Sequence, residues 1–143
     1  MNSLNQFLHR FDYLAAYAPV VLRLGLTAVY AWFGVSQLVN TSIWTSLVPS
    51  WVTDTFGISA VMMVRMNGVF EIVAALLLGC GIYVRPIAFI LAIHLAIITS
   101  HLGFSAVGVR DFGLSFATLA SAFFGDDHLS FTYQREEKKS ARV

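Results

Sequence analysis

GVFEIVAALLLGCGIYVRPIAFILAIHLAIITSHL, residues 68–102, decides what kind of protein this is. Arg85 and Pro86 divide it into two long apolar runs. A helix needs about 20 predominantly apolar residues to cross the hydrocarbon core of a bilayer. With the residues before and after, the two runs predict spans over 59–84 and 86–107. The first carries Arg65 and Glu71; the second has no Asp, Glu, Lys or Arg, but holds His94 and His101.

Working outward, residues 19–39 are apolar apart from Arg23 and open with Pro19, which suits the first turn of a helix. No small-residue cleavage site follows, so this span is expected to be retained. Residues 106–125 predict a fourth span, charged only at Arg110 and Asp111. A hairpin dipping into the membrane is the alternative there. Before the first span, residues 1–18 put Leu4, Phe7, Leu8, Phe11 and Leu14 on one helical face and Asn5, Gln6, His9, Arg10 and Asp12 on the other. That pattern predicts an amphipathic helix in the membrane interface. The segment 41–57 repeats apolar residues around Pro49 and carries Trp44 and Trp51. Tryptophan favours the headgroup region, so this segment reads as a broken interfacial helix over the mouth of a bundle. Residues 126–143 read as a charged cytoplasmic tail, with six charges in the ten residues 134–143.

Composition agrees. Of the 143 residues, 57% are hydrophobic and 12% charged, against ~45–50% and ~25% in a soluble domain. So little charge does not cover the core of a soluble fold of this length; a lipid-facing surface removes the need. The expected fold is all-α, a four-helix transmembrane bundle with short interfacial amphipathic helices. A net charge of +1 with no basic patch outside the tail argues against nucleic acid. A lone cysteine, Cys80, rules out an internal disulfide and any paired-cysteine motif; it reads as a small buried residue. Seven arginines and lysines fall at one side of the spans and only Arg65 and Arg110 at the other. That bias predicts cytoplasmic N- and C-termini in a bacterial inner membrane.

Membrane bundles are held by small residues and interhelical hydrogen bonds, so each span should turn a small or polar stripe inward. The stripes are Arg23, Thr27, Tyr30, Gly34 and Gln37; Asn67, Glu71, Ala75 and Gly79; His94, Ile97, His101 and Ser105; and Asp111, Ser115, Thr118, Ala122 and Gly125. At ~1.5 Å per residue, Glu71 and His94 fall near the midplane beside Thr27, Tyr30 and Thr118. Gln37, Arg65, His101, Arg110 and Asp111 gather nearer the outer surface. The candidate ligand site is therefore Glu71, His94, Tyr30, Thr27 and Asn67, with an outer polar cluster of Arg65, His101, Arg110, Asp111 and Gln37. A carboxylate at the bilayer centre costs several kcal/mol unless paired or protonated. Its functional reading is proton transfer or binding of a polar headgroup; its plain reading is a helix clip. For the outer cluster the plain reading is an Arg110–Asp111 ion pair, with Arg65 as a further cation for Asp111. His94 and His101 lie on one helix and do not face each other across a haem, and no local spacing marks a metal site.

Three stretches carry a resemblance to the DoxX family of small four-span membrane proteins, over roughly residues 21–131. RLGLTAVYAWFGVSQL (23–38) resembles that family's first span. GVFEIVAALLLGCGIYVRPIA (68–88) places Glu71 and Arg85 where the family has its intramembrane acid and its arginine at the span's end. RDFGLSFATLASAFFG (110–125), followed by HLSF (128–131), is similar to its closing glycine and Ser-Leu tail. Gln37 stands where many members carry lysine, and the closing aspartate is lacking after Ser130. The family takes its name from a membrane component of a thiosulfate:quinone oxidoreductase. The resemblance thus implies a quinone-interacting membrane subunit of a redox system, with electrons supplied by a partner protein. The alternatives are a non-catalytic anchor for a partner, or a small-solute or lipid-handling protein, the latter as a homo-oligomer.

Overall fold

The computed structural model describes residues 14–141, whose only regular structure is helix, with no strand among them. The elements are α1 (Ala18–Val39), α2 (Thr41–Thr45), α3 (Ser50–Phe56), α4 (Ala60–Gly79), α5 (Val84–Leu102), α6 (Ala106–Phe124) and α7 (Phe131–Ser140). The amphipathic helix expected over residues 1–18 lies almost wholly outside the described residues. Three helices, α1, α4 and α5, are long and apolar enough to cross a membrane. The fourth long helix, α6, matches α5 in length at 19 residues and carries Arg110 and Asp111 in its second turn.

Local chemistry sets the boundaries. Ser59, Ser105 and Ser130 sit in extended backbone, and their hydroxyls accept from Met62, Gly108 and Tyr133 N–H, which caps α4, α6 and α7. Pro49 breaks the interfacial segment into α2 and α3. The second span ends at Gly79, earlier than the expected 84, because residues 80–83 make the α4–α5 turn. Gly81 (φ +67°) and Tyr83 (φ +50°) both take left-handed backbone there. The third span ends at Leu102 rather than 107, where Gly103 (φ +57°) stops the helix.

Inside and outside are reversed relative to a soluble bundle. Large apolar side chains such as Val21, Trp32, Leu76, Ile97 and Phe116 face outward. The interior holds Arg23, Gln37, Glu71, Asp111, Ser115, Thr118 and Ser121 among Leu26, Tyr30, Ala75, Leu78 and Leu91. Of the four expected stripes, that of α6 is buried in full. The stripe of α5 is corrected. Ile97, His101 and Ser105 are exposed, and the buried face is Ala88, Leu91, Ala92, Leu95 and Thr99. Small alanines let α5 lie close along α6, which turns the histidines sideways.

The bundle is two tight helix pairs. α1 runs along α4 and α5 along α6, while α4 meets α5, and α1 meets α6, over shorter stretches. In the first pair the backbones touch at Gly34 and Gly68, where a β-carbon on Gly34 would stand 2.7 Å from the Gly68 carbonyl oxygen.

At the end where α1 begins, the two pairs are bolted together. The Arg23 guanidinium donates to Asp127 (Nε–Oδ2 2.7 Å, Nη2–Oδ1 3.3 Å) and to the carbonyls of Leu78 (2.9 Å) and Gly79 (2.6 Å). It thus supplies donors that the last turn of α4 lacks. Val84 N–H, at the start of α5, donates to Asp126 at 3.4 Å. Beyond it, Phe131 N–H donates to the Cys80 carbonyl and Thr132 N–H to that of Gly81. The segment expected as a solvated tail is therefore packed as far as residue 132, in the first turn of α7. The reason is Arg23: a buried cation needs an anion, and the chain turns back after α6 to provide one. Cys80, expected buried, is exposed at this turn.

Candidate functional site

At the other end the pairs splay and α2 and α3 close over the gap. Trp44 holds α2 against α1 by donating to the Ser36 hydroxyl (3.1 Å) and setting its ring edge against Phe33 (5.7 Å). Trp51 of α3 lies against the His101 ring at 5.3 Å. Beneath them is a cavity of about 450 Å³, walled by Phe33, Trp44, Leu47, Trp51, Phe56, Val64 and Ile98. Its polar lining is Gln37, Asn67, Glu71, His94, His101 and Asp111.

Glu71 is 3% exposed, and both its oxygens are hydrogen-bonded. Gln37 Nε2 donates to Oε2 at 2.8 Å, and Asn67 Nδ2 donates to Oε1 at 3.1 Å and to Gln37 Oε1 at 2.8 Å. The two amides and the carboxylate close a ring across α1 and α4, which also fixes which amide atom is nitrogen. His94 Nε2 stands 3.7 Å from Glu71 Oε1, too far for a hydrogen bond, and is a buried atom with no hydrogen-bond partner among the described residues. The Phe70 ring packs edge-on against it at 4.9 Å. Glu71 thus has two amide donors and an imidazole facing one of its oxygens. Gln37→Leu is expected to cost about 1–3 kcal/mol, since Glu71 and Asn67 each lose a buried partner. Denaturation in detergent measures this; a change of a few tenths would mean that another group replaces Gln37.

Of the ten residues the sequence singles out, six line the cavity and four do not. Gln37 belongs with Glu71, not with the outer cluster. The Tyr30 hydroxyl pairs with Thr118 Oγ1 (3.0 Å) in the core; Thr118 gives its own proton to the Leu114 carbonyl, so Tyr30 is the donor. The Thr27 hydroxyl donates to the Arg23 carbonyl (2.8 Å) and lies under Gly79. Arg65 is exposed and makes no ion pair among the described residues, so it is not the further cation for Asp111. The Arg110–Asp111 pair forms as expected, Nε–Oδ1 2.8 Å, with the guanidinium also 5.3 Å above the Phe33 ring. Asp111 is buried; Arg110 lies at the edge. No three His, Cys, Asp or Glu side chains among the described residues converge as metal ligands. The Arg23–Asp127 pair was absent from the sequence-predicted site. The sequence does carry its signal: a lone arginine in the first span, and two aspartates just past α6.

A helical bundle with large apolar side chains outside, polar and small ones inside, and helices of membrane-spanning length is an integral membrane protein. The DoxX family profile matches residues 18–106, from the first residue of α1 to the first of α6, and the chain belongs to that family. No curated protein matches the chain, and no solved structure does. Gln37, Asn67, Glu71 and His94 lie inside the matched stretch; Asp111 and Asp127 lie beyond it.

Proposed function

We propose that this DoxX-family protein crosses the inner membrane four times, with cytoplasmic termini, and binds a membrane quinone in its cavity as the membrane subunit of a redox system. The observation that carries the binding reading is the cavity: about 450 Å³, aromatic and aliphatic on its walls, with one carboxylate–amide–imidazole group. Small-molecule sites typically have about this size and this sparse polar content. The ring of a quinone fits the aromatic walls, its polar edge fits the Gln37–Asn67–Glu71–His94 group, and its tail fits the lipid-soluble surroundings.

The fourth span is supported by the ends of α6. It starts three residues after α5 and finishes beside Arg23 and the α4–α5 turn, so it travels back over the height that α5 covers. Nineteen residues give about 28 Å, close to the ~30 Å core, and the Arg110–Asp111 pair offsets the charges it carries. A bound quinone supplies a two-electron, two-proton couple, and a partner protein supplies the electrons. The chain's own part is to hold the ring, shield it from water under α2 and α3, and exchange protons at Glu71 and His94.

Filling the cavity tests this. Ile98 lines it, so Ile98→Trp is expected to abolish saturable binding of a short-chain quinone analogue to purified protein in detergent, with helicity unchanged. Equal binding by wild type and variant would place the quinone elsewhere; no saturable binding by wild type would overturn the reading.

A further inference from the structure

We infer that the cavity prefers a headgroup that donates hydrogen bonds, the hydroxyl-bearing reduced form of a quinone, over the dicarbonyl form. This rests on the quinone reading of the cavity and follows from which polar atoms are left open there. Both Asn67 N–H groups are used, one on Gln37 Oε1 and one on Glu71 Oε1. One Gln37 N–H is used on Glu71 Oε2. His94 Nε2 faces Glu71 Oε1, so a proton there is turned toward the carboxylate and away from a ligand. Trp44 N–H is taken by Ser36, and the Arg110 Nε–H by Asp111.

The acceptors are in the opposite state. A carboxylate offers about four lone-pair sites and an amide oxygen two. Glu71 therefore keeps acceptor capacity on each oxygen, Gln37 Oε1 keeps one site, and Asn67 Oδ1 has no partner among the described residues. Asp111 Oδ2, also at the cavity, makes no hydrogen bond among them either. Around Glu71 every donor but the second Gln37 N–H is turned to the ring of side chains, while several acceptor sites remain for a ligand; Trp51 and His101, the other N–H bearers of the lining, are exposed. A quinone carbonyl brings only lone pairs to such a surface, next to a carboxylate. A hydroxyl brings a proton to a surface with more open acceptors than donors, and a site built for a donor discriminates strongly against the analogue without one. Tighter binding of the reduced form also raises the potential of the bound couple, by about 30 mV per tenfold for two electrons.

The test is calorimetric titration of the purified full chain, kept anaerobic, with a short-chain hydroquinone, its quinone and its dimethyl ether, which accepts but does not donate. The hydroquinone is expected to bind at least tenfold more tightly than either. Glu71→Gln, which replaces an acceptor with a donor, should erase most of that ratio. Asn67→Ala, which leaves the carboxylate in place, should reduce it by a smaller factor and guards against misfolding of the first variant. Equal binding of hydroquinone and quinone, or of hydroquinone and ether, overturns the inference and leaves the cavity reading standing. Displacement of the hydroquinone by a tenfold lower concentration of an alkyl amine overturns it too, by giving the carboxylate to a cation. Failure of all three ring compounds to bind folded protein overturns the quinone reading itself.

Discussion

Asp127→Ala is expected to destabilise the protein by about 3–5 kcal/mol, the cost of leaving one member of a buried ion pair without its partner. Both side chains of the Arg23–Asp127 pair are 3% exposed, and two parallel N–H donors reach the carboxylate. Asp127 Oδ1 also takes the Leu129 N–H, so the loop loses a local tie as well. Replacing both residues by leucine should cost less than Asp127→Ala alone, because no bare charge stays behind. What the double variant still loses is the Arg23 contact to the Leu78 and Gly79 carbonyls. Unfolding of all three variants in detergent gives the coupling energy directly. A loss under about 1 kcal/mol for Asp127→Ala, small on the scale of a broken buried pair, would mean that Arg23 is satisfied by the carbonyls alone and that the two helix pairs need no bolt.

That pair is only half legible in the sequence. Counting residues from each span end puts Arg23 about one turn inside and Asp127 two residues outside, at the same side of the membrane. The aspartate is inconspicuous because it stands at the start of a stretch dense with charge, and dense charge resembles a solvated tail. Helical spacing alone excludes Arg65. It lies two positions from Asn67, which on a helix is the far side from the face carrying Asn67 and Glu71. Glu71 and His94 stand at similar depth in the sequence because a span's pitch is fixed and lipid leaves few positions for a polar group. Gln37 was a different matter. Its partner depends on how far α1 slides along α4, and no count along one helix gives that offset. The buried face of α5 is hidden in the sequence for a related reason. In a membrane bundle alanines and leucines pack helices as well as polar groups do, so the polar stripe need not be the buried one.

The offset between α1 and α4 is set by two glycines, which yields the second large effect. A methyl on Gly68 would stand 2.9 Å from the Gly34 carbonyl oxygen and 3.1 Å from Gln37 Cβ; one on Gly34 would stand 2.7 Å from the Gly68 carbonyl oxygen. Backbone oxygens in a helix have nowhere to go, so the helices must separate. Gly68→Ala is therefore expected to cost about 1–3 kcal/mol, the usual range for overpacking. The damage should reach the site as well. Gln37 is one turn from Gly34 and Glu71 one turn from Gly68, so a wider spacing stretches the 2.8 Å bond that joins them. Hydroquinone affinity should fall by about tenfold, or about 1.4 kcal/mol, with no cavity residue altered. Gly25→Ala is the control. It lies in the same helix as Gly34, but nothing stands within 4 Å of its added carbon, and alanine is the better helix former by up to about 1 kcal/mol. It should leave binding unchanged and stability equal or higher. If Gly68→Ala behaves like Gly25→Ala in both measurements, the close crossing is not what holds Gln37 over Glu71, and the geometry of the site must be kept by the hydrogen bonds themselves.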